Sequence, residues 1–378
     1  MDDHEWTLMQ GACGPATEVP TLIRALRDGG PDSREQLERE LSDHVQHQGQ
    51  LYPPAVPTAQ LLIDALADED THDRLLACEL LQTIVENAHH YEGEDFAEPT
   101  LGELSAARAA WWSRRRRGAA HEPVAPDPVD REAHEAVRAG VPAYLEVLRS
   151  GDRQLRRGMA TLLGHFPSAW PVMAAEFAER LAEEEDPEVA AAICLAVGRT
   201  GRLGYGRVAA AAGLWRGHGD RYVHRCALAA LARVVAETDT AMLVELADCL
   251  VTTDGGDWQS PETVLAGTAF DAFGRRRPAE VPARLAGLLT VRLRDQQGPE
   301  WSYLAVRLLL DIAFHEGPLP DGAGFAGLDR VQRDAVLALI DTEVLLWTEA
   351  IWRDVAECNL PHVHDELFAW VAGQPALF

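Results

Sequence analysis

One phrase is written three times between Ser150 and Val235, and its spacing constrains the chain more than any other feature. Copies beginning at Asp152, Asp186 and Asp220 start 34 residues apart (186 − 152 and 220 − 186). Each opens with an Asp able to cap a helix N-terminus, places Leu155, Val189 or Val223 three residues later, and continues with apolar side chains at helical spacing. A fourth copy begins at Asp70. Between copies lies a second helical stretch, such as Val172 to Leu181, so the unit is helix, turn, helix. Self-similarity at one fixed period is the mark of a solenoid, in which each unit buries its apolar face against its neighbours.

The run of Asp, two residues, Val or Leu, Arg, then small and aliphatic residues resembles the HEAT repeat. Arg156 and Arg74 stand at the usual Arg position, whereas Ala190 and His224 depart from it and Arg225 comes one place late. The resemblance implies an all-α fold, a right-handed α-solenoid of about seven HEAT-like helix pairs with one insertion. It implies little about activity, because a fold of this kind hosts many functions.

Composition narrows the function classes. The net charge of −26 argues against nucleic acid as the main partner, since phosphate binding needs a basic footprint. An acidic field attracts basic partners and repels anionic membrane. All 34 basic residues are Arg; without Lys there is no Schiff-base, P-loop or kinase ATP lysine. The Lys-free, Ala- and Arg-rich composition looks like that of a GC-rich, actinobacterial-type genome. Six cysteines (Cys13, Cys78, Cys194, Cys226, Cys249, Cys358) form no CxxC pair, and Cys78 and Cys194 share one place in the repeat. They read as reduced core thiols of a cytoplasmic protein. The N-terminal residues show no signal-peptide pattern, and no apolar run is long enough to span a bilayer.

Four regions are expected. Residues 1–88 hold N-terminal repeats, with helices over Val19 to Leu26, Ser33 to Gln46, Thr58 to Leu66 and Asp73 to Asn87. Residues 89–130 form an irregular insertion: from Asp70 to Asp152 is 82 residues, about 14 more than two periods. Within it Leu101 to Arg117 reads as a helix, and His121 to Pro128 as a Pro-rich tether. Residues 131–240 are the regular repeats, and 241–378 degenerate helical repeats ending in helices over Leu328 to Ile340, Thr342 to Ala356 and Pro361 to Val371. No segment alternates in a way that predicts a β-strand.

Two constellations are candidates for partner contact. Trp111, Trp112, Arg114, Arg115, Arg116 and Arg117 make the one dense basic and aromatic cluster in an acidic chain, inside an insertion of the kind that in solenoids maps to a binding face. The cluster serves either to dock the insertion or to meet an acidic peptide, phosphate or nucleic acid. His47 and Tyr52 flank a Gly-Pro-rich turn that resembles a segment of uncharacterised bacterial HEAT-like proteins for which immunity or adaptor roles have been suggested. Its prolines alone explain a loop, with Tyr52 stapling the next helix.

Metal candidates are weaker: His89 and His90 with Glu92 and Glu94, and the run Cys358, His362, His364. Zinc sites normally take two separated ligand pairs, and the second pair is missing in the latter run, where Asp365 and Glu366 also suit a helix start. The dipeptides His4-Glu5, His121-Glu122, His134-Glu135 and His315-Glu316 faintly resemble the iron-binding pairs of HEAT-repeat deoxyhypusine hydroxylases, yet they share no repeat phase. The basic groove of HEAT-like alkylpurine DNA glycosylases is lacking, as is any motif marking a bilin lyase. The capping acids and Arg156 read as repeat maintenance. The expectation is therefore a protein-binding scaffold or adaptor of the immunity or toxin-neutralising kind, with a basic protein partner and no cofactor. The alternative is a HEAT-fold enzyme or small-ligand or metal carrier using the insertion and concave face.

Overall fold

The computed structural model describes residues 3–30, 33–88, 128–235, 317–341 and 349–373, with isolated helical turns between 241 and 314. It is mostly helical. The chain divides into two compact units, Met1–Ala97 with Pro123–Trp215, and Glu98–Glu122 with Arg216–Phe378.

The first unit begins with α1 (Asp3–Leu8) and a hairpin of β1 (Gln10–Gly11) and β2 (Gly14–Pro15), followed by α2 (Val19–Asp28) and α3 (Arg34–Val45). A second hairpin, β3 (Gln46–His47) and β4 (Gln50–Leu51), leads into α4 (Ala55–Ala67) and α5 (Arg74–Asn87). Then come α6 (Pro128–Arg138), α7 (Val141–Val147), α8 (Arg153–Leu163), α9 (Trp170–Glu183), α10 (Pro187–Thr200) and α11 (Gly206–Trp215). Helices α3, α5, α8 and α10 pack in succession, α2 packs on α4, α4 on α6 and α7, and α9 on α11.

The helices start where capping chemistry puts them. Ser33 accepts the Gln36 N–H at 3.2 Å, and one Asp152 oxygen accepts from Gln154 and Leu155 at 2.7 and 3.1 Å. Asp186 repeats this with Glu188 and Val189 at 2.9 and 3.1 Å. These bonds satisfy amide groups that no intrahelical carbonyl reaches. In the fourth copy the cap is Asp73, one turn after Asp70, with the Leu76 N–H at 2.9 Å. Val19, Leu22, Ile23 and Leu26 are the buried stripe of α2.

Two expectations are corrected. The hairpins are real β-structure, with Gln10 opposite Pro15 and Gln46 opposite Leu51. Their strands are two residues long, too short for alternation to register. Second, α4 begins at Ala55 and not Thr58, because Pro54 is its cap residue and Pro57 falls in its first turn, where a missing N–H costs nothing.

In the second unit α12 (Arg221–Val234) starts at Asp220, whose side chain accepts from Tyr222 and Val223 at 2.7 and 3.2 Å. Helix α13 (Arg330–Asp341) opens with a reciprocal capping box: Asp329 accepts the Gln332 N–H at 2.8 Å and Gln332 accepts the Asp329 N–H at 3.1 Å. It packs on α15 (His364–Val371), which follows α14 (Glu349–Glu357). The Trp370 indole donates to the Ala323 carbonyl at 3.1 Å and meets Phe325 edge-on at 5.9 Å.

Candidate functional site

Of the residues singled out for partner contact, His47 and Tyr52 lie together on the β3–β4 hairpin. Its two-residue loop, Gln48-Gly49, has φ of 51° and 81°. Both values are left-handed, as a type I′ turn requires, and that backbone twist suits the flanking strands. His47 is exposed, and half-buried Tyr52 donates its N–H to the Val45 carbonyl at 3.0 Å. A Cβ on Gly49 would stand 3.7 Å from the Asn87 amide oxygen, so the loop sits over the last turn of α5. The β1–β2 hairpin packs nearby: a Cβ on Gly11 would come within 2.6 Å of the His44 carbonyl. Both hairpins thus occupy one end of the helix pairs, beside the C-terminal ends of α3 and α5. Trp111, Trp112, Arg114, Arg115, Arg116, Arg117, His89 and His90 lie outside the described residues.

The Cys358 to His364 run is divided by its backbone. Cys358 is buried, and its carbonyl accepts the Leu319 N–H at 3.1 Å. Asn359, with φ of 58°, turns the chain out of α14 and donates to the Leu319 carbonyl at 2.8 Å and Asp321 at 3.1 Å. His362 is exposed and His364 faces Asp365 at 3.5 Å. Among the described residues no group of three or more His, Cys, Asp and Glu is placed to hold a metal ion.

A ladder of charges, foreshadowed by the repeat acids, fastens α3 to α5 and α8 to α10. Arg34, the first residue of α3, reaches the Asp73 cap of α5 at 2.9 Å and Glu79 at 2.6 Å. Arg153, the first residue of α8, reaches the Asp186 cap of α10 and Glu188, both at 2.7 Å. The same rung thus occurs at two places in the stack. Arg74 donates to the Leu66 carbonyl at 2.9 Å, and Arg156 to those of Ser150 and Gly151 at 3.0 and 3.1 Å, tying each helix to the end of its predecessor. Arg156 also forks onto Glu184, Nε at 3.1 Å and Nη2 at 3.0 Å, and Arg180 joins that carboxylate at 3.1 Å. Burial pushes the Glu184 pKa up, but Arg156, the Asp186 N–H and Arg180 together outweigh it and hold the group below the usual carboxylate range.

A second polar group is buried where α6, α8 and α10 meet. His165, just past the end of α8, is buried, and the Arg199 guanidinium stands 3.4 Å from its Nδ1. A guanidinium only donates, so Nδ1 is the acceptor and the ring proton lies on Nε2, which has no hydrogen-bond partner. Burial, then Arg199, then His134 drive the His165 pKa well below its ordinary value. His134 meets Phe166 edge-on at 5.5 Å, and Tyr144 stacks on Phe166 at 6.4 Å. No single-repeat motif announces this cluster. One signal was available, since His165 and Arg199 are one repeat period, 34 residues, apart.

The Cys78 thiol is pushed far up by burial and the Cys194 thiol to about 12 by the same cause, so both are held as inert core thiols. No protein-family model and no curated protein matches the chain. Among solved structures it is similar to a crystal structure of an engineered protein from the Northeast Structural Genomics Consortium. That similarity covers 95% of this chain and 89% of the other at 17% identity, with a TM-score of 0.33.

Proposed function

We propose that this chain is a HEAT-like α-solenoid of about seven helix pairs that works by binding a protein, and that the partner presents a basic surface. The observation carrying the reading is the repeated ladder, in which an Arg at the start of one helix grips the capping Asp of the next. Such rungs spend Arg34 and Arg153 on acids inside the stack. With 34 Arg against 60 Asp and Glu, at least 26 acids (60 − 34) have no one-to-one cationic partner. A scaffold of this kind keeps its cohesion internal and presents a surplus of negative charge to whatever it binds. An immunity-type role, occluding a basic surface that would otherwise meet nucleic acid, fits that field.

The insertion supplies the second half of the proposal. Trp111, Trp112 and Arg114 to Arg117 are assigned to the contact, together with His47 and Tyr52 on the hairpin beside the residue from which the insertion departs. Aromatic and Arg side chains are the usual anchors of such interfaces, and the four Arg would meet an acidic patch set within the partner's otherwise basic surface. The test is charge reversal, Arg→Glu at Arg114, Arg115, Arg116 and Arg117. Partner binding is expected to fall at least about tenfold while the melting temperature moves little. Loss of folding with no separable loss of binding would refute the assignment.

A further inference from the structure

We propose that the corner where α6 meets the end of α8 is an acid-released latch, triggered by the buried imidazole of His165. The ring lies fully inside the first unit, with Arg199 of α10 at 3.4 Å from Nδ1 and nothing bonded to Nε2. A second proton would have to go on Nδ1, which would turn the acceptor of Arg199 into a donor facing a donor. It would also place a cation beside a guanidinium in a buried site. The remedy open to the protein is to let the corner open to water.

The groups around the ring offer no ready compensation. From α6 come His134, itself buried and close enough to be felt electrostatically, and buried Asp130 one turn earlier. From α7 comes Tyr144, whose hydroxyl is committed to the Val137 carbonyl at 2.8 Å. The arginines of α8 (Arg153, Arg156 and Arg157) belong to the ladder at its opposite end. On α5, Cys78 lies towards Tyr144, and Glu79 is held by Arg34. On α4, Asp64 is exposed and accepts from Gln60 at 3.1 Å. Helix α6, the element that the latch would move, carries three carboxylates: buried Asp130, exposed Glu132, and Glu135, which is held by Arg138. Opening α6 at the corner admits water to the ring, at the cost of the Phe166 contact with His134 and of part of the α6 packing on α4 and α5.

The experiment is amide hydrogen exchange on the whole wild-type chain, corrected for the intrinsic pH dependence of exchange. For one imidazole that must stay neutral while docked and titrates near 6.5 when freed, the opening constant should rise about tenfold between about pH 7.5 and about pH 5.5. The rise is expected in peptides covering 128–138 and 164–169 and not in those of α2 or α10. His165→Asn, whose side-chain oxygen can still accept from Arg199, should remove the pH dependence while leaving protection near neutrality intact. A uniform rise over the unit, no rise, or an unchanged rise in H165N would each overturn the latch. Should H165N not fold, the wild-type profile alone decides, because a local rise supports the latch and a global or absent one refutes it.

Discussion

The link between Arg156 and Glu184 joins α8 to the end of α9, and its worth can be measured with a double-mutant cycle. The two side chains are 14% and 3% exposed, and the fork is completed by Arg180. Removing one partner of a fully buried pair costs about 3–5 kcal/mol, most of it from stranding the other charge. Glu184→Gln keeps an acceptor of the same shape, and Arg156 retains the Ser150 and Gly151 carbonyls, so about 2–3 kcal/mol is expected. Arg156→Met leaves Glu184 with Arg180 and the Glu185 and Asp186 N–H groups, and about 2 kcal/mol should follow. If the two residues act as one hydrogen-bonded unit, the double variant loses about 1.5–2 kcal/mol less than the sum of the singles. Urea unfolding followed by far-UV circular dichroism near neutral pH gives all four values. A coupling below about 0.5 kcal/mol would mean the fork behaves as a solvated surface pair and would refute the ladder as the source of cohesion.

Other consequences are independent of that cycle. A Cβ at Gly158 would lie 2.6 Å from buried Cys78 Sγ, so Gly158→Ala should cost a net ~1–2 kcal/mol despite its better helix propensity. Cys78→Ala in the same chain should return much of that loss in a urea melt. Gln48 holds a left-handed conformation that Asn adopts more easily, and Gln48→Asn should stabilise the fold by about 0.5 kcal/mol. Acid should act in two windows. The depressed His165 pKa means the unfolded chain takes up a proton first, so stability falls as pH drops below about 6.5, and H165N should flatten that limb. The depressed Glu184 pKa contributes stability that is full above about pH 4.3 and is lost as pH falls through the lower folded value, a limb that E184Q should remove.

Much of the architecture was legible because capping and burial are local. The Asp at the head of each 34-residue copy had to satisfy amides that nothing else reaches, and Asp152, Asp186 and Asp220 do so. The fourth copy offered two Asp three residues apart, and periodicity alone could not choose between them. Packing chose Asp73, which is also within reach of Arg34. The hairpins escaped because two-residue strands carry no alternation. Their trace was a duplication, Val19-Pro20-Thr21 and Val56-Pro57-Thr58, each opening the helix after a hairpin. Of the site residues, His47 and Tyr52 were found from turn chemistry, and the hairpin accounts for them. The His165 cluster went unread because its partners come from α6, α8 and α10, and only stacking brings them together. The Trp and Arg cluster of the insertion lies outside the described residues, so its role stands on the sequence.

The central claim, an acidic scaffold that binds a basic protein, is tested most directly by capture. The tagged chain, incubated with lysate of its own organism at about 0.05 M and about 0.5 M salt, should retain one stoichiometric protein with a basic surface at the lower concentration. That protein should leave at the higher concentration, where charges more than a few ångströms apart are screened, and its activity should be blocked while it is bound. A chain that captures no protein, or holds one equally at both concentrations, contradicts the account.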